Sequence, residues 1–184
     1  EKTETNRAAK EARALPKELE NQNCEDDSCR PSSPLRRGNF CAIKESSGDP
    51  NRLHMLVRDY PHIALSCGMD DQTLEFFAWG VRSWVCAGSN FAPEAHIALN
   101  KACALEGNFE KGRAIMSAML PLMRVLEKGG KFVQCIKYGL TLRGINAGPP
   151  RKPFQSLNKD DKRKLEQVVH TMNATISKIT GEAI

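Results

Sequence analysis

Three short apolar runs separated by helical runs constrain this chain more than any other feature. FCAIKES begins at Phe40, HIALSCG at His62 and SWVCAG at Ser83, and between them stand DPNRLHMLVRDY and DDQTLEFFAWG. Strands alternating with helix-length segments are not joined as hairpins, because parallel neighbours need a crossover of about a dozen residues or more. The spacing predicts βαβαβ units, a parallel sheet with right-handed crossovers. In the first crossover Asp49 stands as an N-cap, Pro50 takes the first helical position, and Leu53, Leu56 and Val57 share one face. In the second, Asp70 and Asp71 sit at the positive end of a short helix, Leu74 and Phe77 face inward with Phe76 beside them, and Gly80 ends it. As a strand, the first run puts Phe40, Ala42, Lys44 and Ser46 on one side and Cys41, Ile43, Glu45 and Ser47 on the other. Apolar members on both sides predict a strand covered on both faces.

From Pro93 onward the pattern is helical. PEAHIALNKACALEGN stops at Gly107, FEKGRAIMSAMLPLMRVLEKGG contains Pro121, which predicts a kink, and KFVQCIKYGLTLRG stops at Gly144. The loop INAGPPRKPFQSLN leads to a last helix striped by Leu165, Val168, Val169, Met172, Ile176 and Ile179. Residues 1–36, by contrast, contain no Val, Ile, Met or aromatic side chain. Such a segment buries too little apolar area to offset the entropy of ordering it. The expected organisation is a polar, disordered leader over 1–37, parallel βα units over 38–92 and a helical region over 93–184.

Composition narrows the function classes. The formal charge is +5 at pH 7, but the basic residues near the end interleave with Asp160, Asp161 and Glu166, the pattern of a solvated helix face and not of a nucleic-acid patch. No apolar run approaches the length of a bilayer crossing, and nothing at the start resembles a signal peptide. The NAT at Asn173 fits a glycosylation acceptor, with no other sign of secretion. Seven cysteines, an odd number scattered along the chain, read as reduced thiols of a cytoplasmic protein. Cys24 and Cys29 are spaced like half a metal site with no second half at zinc-ligand spacing, so no metal is expected. His54, His62, His96 and His170 do not cluster and are expected on helix surfaces or in loops.

That leaves the question of why a lysine, Lys44, stands inside an apolar strand. The run AIKESSGD, followed in order by SCGMDDQTLEFFAWG and SWVCAGSNFAPE, resembles the sixth, seventh and eighth barrel strands of the dihydrodipicolinate synthase / N-acetylneuraminate lyase family. GNFEKGRAIMSAMLPL and GINAGPPRKPF resemble that family's C-terminal helical extension. The resemblance covers about residues 38–157 and implies a partial (β/α)8 barrel, its last three βα units, followed by helices. It implies a Schiff-base lyase, an aldolase or dehydratase using a 2-oxo acid such as pyruvate or a 2-keto-3-deoxy sugar acid, with no cofactor. Lys44 matches the imine-forming lysine at the C-terminal end of its strand, where a barrel carries its active site. Val85 matches a position that contacts the pyruvate moiety, Gly68 a glycine bordering the pocket, and Ser46 and Ser47 are candidates for substrate hydrogen bonds. Where many relatives have Gly-Asp-Asp, this chain has Gly68, Met69, Asp70 and Asp71.

The family's first five βα units have no counterpart in the sequence, and barrels run to about 250 residues. With those units go a Gly-Thr-Thr-type carboxylate-binding loop and a proton-relaying tyrosine; the two tyrosines present, Tyr60 and Tyr138, lie in helical segments away from the matched mouth. Two readings follow. One is a Schiff-base lyase impaired by truncation, working as a homo-oligomer or with a partner that supplies the missing barrel. The other is a non-catalytic remnant or an oligomerisation partner of full-length relatives.

Overall fold

The computed structural model describes residues 41–184. The leader expected over 1–37 lies outside them, as do Cys24 and Cys29. Strands β1 (Ala42–Glu45), β2 (Ala64–Cys67) and β3 (Ser83–Trp84) form one parallel sheet in the order β1-β2-β3. Lys44 is in register with Ser66, Glu45 with Cys67, and Ser66 with Ser83. This order follows from connections too long for hairpins and long enough for a helix.

Helix α1 (Pro50–Asp59) makes the first crossover and starts as the sequence predicts: the Asp49 carboxyl accepts a hydrogen bond from the Asn51 amide at 2.9 Å. Leu53 and Leu56 are buried and Val57 is half-buried against them. The second crossover is not one helix. A 3-10 turn, Asp70–Gln72, precedes α2 (Thr73–Ala78), and the Thr73 hydroxyl donates back to the carbonyls of Asp70 and Met69 in the preceding turn. Phe76 and Phe77 are both buried but point to different places: Phe76 packs with Leu53, Cys67 and Val81 beneath the sheet, Phe77 in the larger helical core. The end of α2 is a Schellman cap, with Gly80 at φ +83° donating to Phe77 and Val81 donating to Phe76.

Helix α3 (Pro93–Asn100) runs into a wider π-turn, Lys101–Leu105, before α4 (Phe109–Lys128), which continues through an exposed Pro121. Helix α5 (Phe132–Leu142) ends in a second Schellman cap at Gly144, and α6 (Lys159–Thr180) starts at Asn158, whose side chain accepts from the Asp161 amide. Leu165, Met172 and Ile176 of α6 bury completely against Leu99, Ile115, Met119, Leu122 and Leu126, while Val168, Val169 and Ile179 flank the seam. Each such side chain contributes about 1.5–3 kcal/mol when fully removed from water. Trp84 packs against both cores and joins the sheet to the helices.

The sheet is covered on one face only by the described residues, which corrects the expectation of a two-sided cover. Ile43, Glu45, Leu65, Cys67 and Trp84 face the helices; Ala42, Lys44, Ala64, Ser66 and Ser83 form the other face, small and polar, with the Ser83 hydroxyl donating to Ser66 at 2.9 Å. The covered face contains one charge, Glu45, only 4% exposed. Burial opposes its ionisation, but the Ser47 amide and hydroxyl and the guanidinium of Arg52, 2.7 Å away, outweigh it and hold the carboxyl below its ordinary range.

Two predictions follow from this packing. A group whose folded-state pKa is depressed adds stability above its unfolded pKa and loses it as pH falls through the folded value. Glu45→Gln should therefore lower the urea midpoint most at neutral pH, with the gap to wild type closing below about pH 4. Gly139 of α5 lies flat on the ring of buried Phe91, and a Cβ there would meet ring carbons at 2.4–2.7 Å. Although alanine is the better helix former by about 1 kcal/mol, Gly139→Ala should destabilise by about 1–2 kcal/mol through overpacking, read as a lower urea midpoint.

Candidate functional site

The C-terminal ends of all three strands open onto one cavity of about 270 Å³. Lys44 of β1, Gly68 and Asp70 after β2, and Val85, Cys86 and Ala87 after β3 line it from the sheet side. Glu127 at the end of α4 and Phe132 at the start of α5 line it from the helical side. Parallel strands bring this about, because the loops that follow them emerge on the same side of the sheet.

Lys44 and Gly68 are shaped to each other. The Gly68 amide donates to the Glu45 carbonyl at 2.8 Å, and a Cβ on Gly68 would fall 2.7 Å from Cε of Lys44 and 1.9 Å from Oγ of Ser46. Absence of a side chain at residue 68 therefore gives room for the lysine stem. Val85 lies across the cavity, 52% exposed, its amide donating to the Cys67 carbonyl at 2.9 Å. Ser46 touches the rim at Gly68 but does not line the cavity, and Ser47 turns away from it: its hydroxyl accepts from the Asp49 amide at 3.2 Å, inside the loop that caps α1.

Asp70 is the best-anchored group of the mouth. It is 4% exposed, and its two oxygens accept from the Trp84 indole at 2.9 Å and from the Ala87 amide at 3.3 Å. The Trp84 ring then stacks on His96 of α3, centroids 4.8 Å apart. His96, expected at a surface, is 5% exposed. Its Nδ1–H donates to the Ala92 carbonyl at 2.7 Å, and its ring fits only because residue 88 is glycine, where a Cβ would stand 2.7 Å away. Burial lowers its pKa against the pull of the Ala92 carbonyl and Asp70, so the neutral ring is favoured.

The remaining titratable groups are set by burial and by each other. Burial pushes the Cys67 thiol up to about 11, and it donates to the Met69 carbonyl. Burial also raises the Cys86 thiol, which leaves a protonated sulfur, a weak nucleophile, beside Lys44. Glu127 is raised by burial first and by the charges of Asp71 and Asp70 next. The lysine amine is the strongest candidate nucleophile of the cavity. Neither Tyr60 nor Tyr138 lines it; Tyr138 donates to Glu166 on the helical side. Among the described residues no group of His, Cys, Asp and Glu is placed to hold a metal, and no helix is long and apolar enough to cross a membrane.

Sequence reasoning placed Lys44, Gly68 and Val85, which the fold brings together, but assigned nothing to Cys86, Glu127 or Phe132. The last two stand far along the chain in what reads as a helix end and a helix start, with no local pattern to mark them.

The chain is 31% identical over 133 residues to a 4-hydroxy-tetrahydrodipicolinate synthase of Exiguobacterium sp., covering 72% of this chain and 45% of that protein. It is 28% identical over 135 residues to an N-acetylneuraminate lyase of Rhizobium meliloti, covering 73% and 44%. The solved 4-hydroxy-tetrahydrodipicolinate synthase of Methylacidiphilum fumariolicum SolV superposes with a TM-score of 0.69 at 27% identity, over 78% of this chain and 47% of that one. The chain thus spans less than half the length of these relatives, and its parallel sheet and helices are consistent with part of a barrel. The model of the Dihydrodipicolinate synthetase family matches residues 35–172, three-quarters of the sequence, and the chain belongs to that family.

Proposed function

We propose that this chain carries the imine-forming part of a Schiff-base lyase, an aldolase or dehydratase acting on a 2-oxo acid such as pyruvate or a 2-keto-3-deoxy sugar acid. The observation that carries the reading is the shared cavity of Lys44, Gly68 and Val85 at the C-terminal ends of parallel strands. In this reading β1, β2 and β3 are the sixth to eighth strands of the barrel. The Lys44 amine attacks the C2 carbonyl, the carbonyl oxygen takes up protons and leaves as water, and the iminium that remains draws electrons from the adjacent bond as it breaks. Gly68 and Val85 bound the space for the three-carbon head, and Ser46, beside Gly68, lies where it can meet a substrate oxygen. Ser47 is the less available of the two serines, its hydroxyl engaged with the Glu45 carboxyl and with the Asp49 amide.

The carboxylate anchor and the proton relay of the reaction are assigned to βα units other than the three that carry β1, β2 and β3, and an oligomer or partner that brings such units to the cavity would complete the site. Without them turnover is impaired, since a positioned acid or base contributes about 10²–10⁴-fold. No metal or organic cofactor enters this chemistry. Free thiols at Cys41, Cys67, Cys86, Cys103 and Cys135 support a reducing compartment, the cytoplasm.

A second reading, a non-catalytic remnant or oligomerisation partner, is favoured by one specific observation: Lys44 is exposed and its sheet face is open. The two separate cleanly. Incubation of the 184-residue chain with pyruvate and borohydride, followed by intact-mass measurement, should give a single reduced adduct that is absent from Lys44→Ala. Absence of adduct from folded wild-type protein would favour the remnant.

A further inference from the structure

An imine at Lys44 fixes C2 of the bound oxo acid and leaves the rest of the molecule to extend along the other walls of the cavity. Those walls are acidic. Asp70 cannot swing away, because both its oxygens are held, by the Trp84 indole and the Ala87 amide. Glu127 faces the same space from the end of α4, and no cation forms an ion pair with it among the described residues. Asp71 adds a third negative group next to Asp70, while Lys128 and the Asp70 amide act on Glu127 in the opposite sense. Cys86 contributes a neutral thiol, and among the described residues no arginine lines the cavity. Among the described residues Lys44 is the one basic residue lining it, and the imine occupies that nitrogen.

We propose that Glu127 is the specificity-determining residue of this site, selecting oxo acids with an uncharged, hydroxylated tail and rejecting those whose tail carries a second carboxylate. A hydroxyl donates to a carboxylate oxygen, whereas a second carboxylate meets like charge in a partly desolvated cavity, where such repulsion is several times stronger than in water. Asp70 supplies a fixed part of that field. Glu127 supplies the rest: the Asp70 amide takes one of the several acceptor sites of its carboxylate, so it both repels the diacid and accepts from the hydroxylated tail. This inference rests on Lys44 forming the imine.

Borohydride trapping of the whole chain tests it with three probes: pyruvate, 2-oxopentanoate and 2-oxoglutarate. The last two share a five-carbon chain and the carboxyl at C1 and differ at C5, a methyl in one and a carboxylate in the other, so the change in their ratio between charge variants of residue 127 reads the effect. Wild-type protein should trap 2-oxoglutarate more slowly than 2-oxopentanoate. Glu127→Gln should raise the 2-oxoglutarate to 2-oxopentanoate ratio by about 3- to 10-fold, while Glu127→Asp, which keeps the charge, should leave the ratio near that of wild type. A ratio unchanged in Glu127→Gln, with adducts forming in both proteins, would overturn the assignment. So would an equal rise in Glu127→Asp, because charge would then not be the cause. If wild type traps none of the three, pyruvate included, the imine at Lys44 falls and the specificity argument falls with it.

Discussion

The carboxyl of Asp70 holds this structure together at the point where chemistry is proposed. It sits at the end of β2, accepts the indole N–H of Trp84 at the end of β3, and accepts the amide of Ala87 in the loop beyond. Trp84 is the side chain that belongs to both hydrophobic cores and stacks on buried His96, so the bond also ties the sheet to the helical region. A buried carboxyl without donors would cost several kcal/mol. Here each oxygen has one, and the loops of β2 and β3 are drawn over the same cavity. Gly68 and Gly88 belong to the same arrangement: one admits the stem of Lys44, the other the ring of His96.

Much of this was legible from local chemistry. The cap at Asp49, the proline at residue 50, the glycines that end α2 and α5 and the stripe of α6 are signals carried within one turn, and the structure follows them. Period-two alternation put Lys44 and Glu45 on opposite faces, as found. What was not legible depends on distant partners. His96 has the sequence surroundings of a surface helix and is buried because Trp84 and Gly88 shape a slot for it. The expected single helix after β2 divides because Thr73 bonds back into the preceding turn. Glu127 and Phe132 reach the cavity only because α4 ends, and α5 starts, over the strand ends.

The open face of the sheet gives the chain its particular character. Ala42, Ala64, Ser66 and Ser83 are small, and with Lys44 they make a surface too polar for a core and too flat for a pocket. In a closed barrel such a face turns inward. The cavity at the strand ends does not need that closure for the walls described here, because it borrows Glu127 and Phe132 from the helices that follow. One stretch of chain thereby brings together Lys44, the clearance at Gly68 and the acidic wall of Asp70 and Glu127.

Hydrogen–deuterium exchange resolved to single amides would show whether the 184-residue chain holds these cavity walls in place. Three amides report on the mouth: Gly68, bonded to the Glu45 carbonyl; Val85, bonded to the Cys67 carbonyl; and Ala87, bonded to the Asp70 carboxyl. All three should exchange at least about a hundredfold more slowly than unstructured amides, as groups opening only with a cooperative unit do. Exchange of these three at the unprotected rate, while the amides of α4 and α6 stay protected, would contradict that expectation.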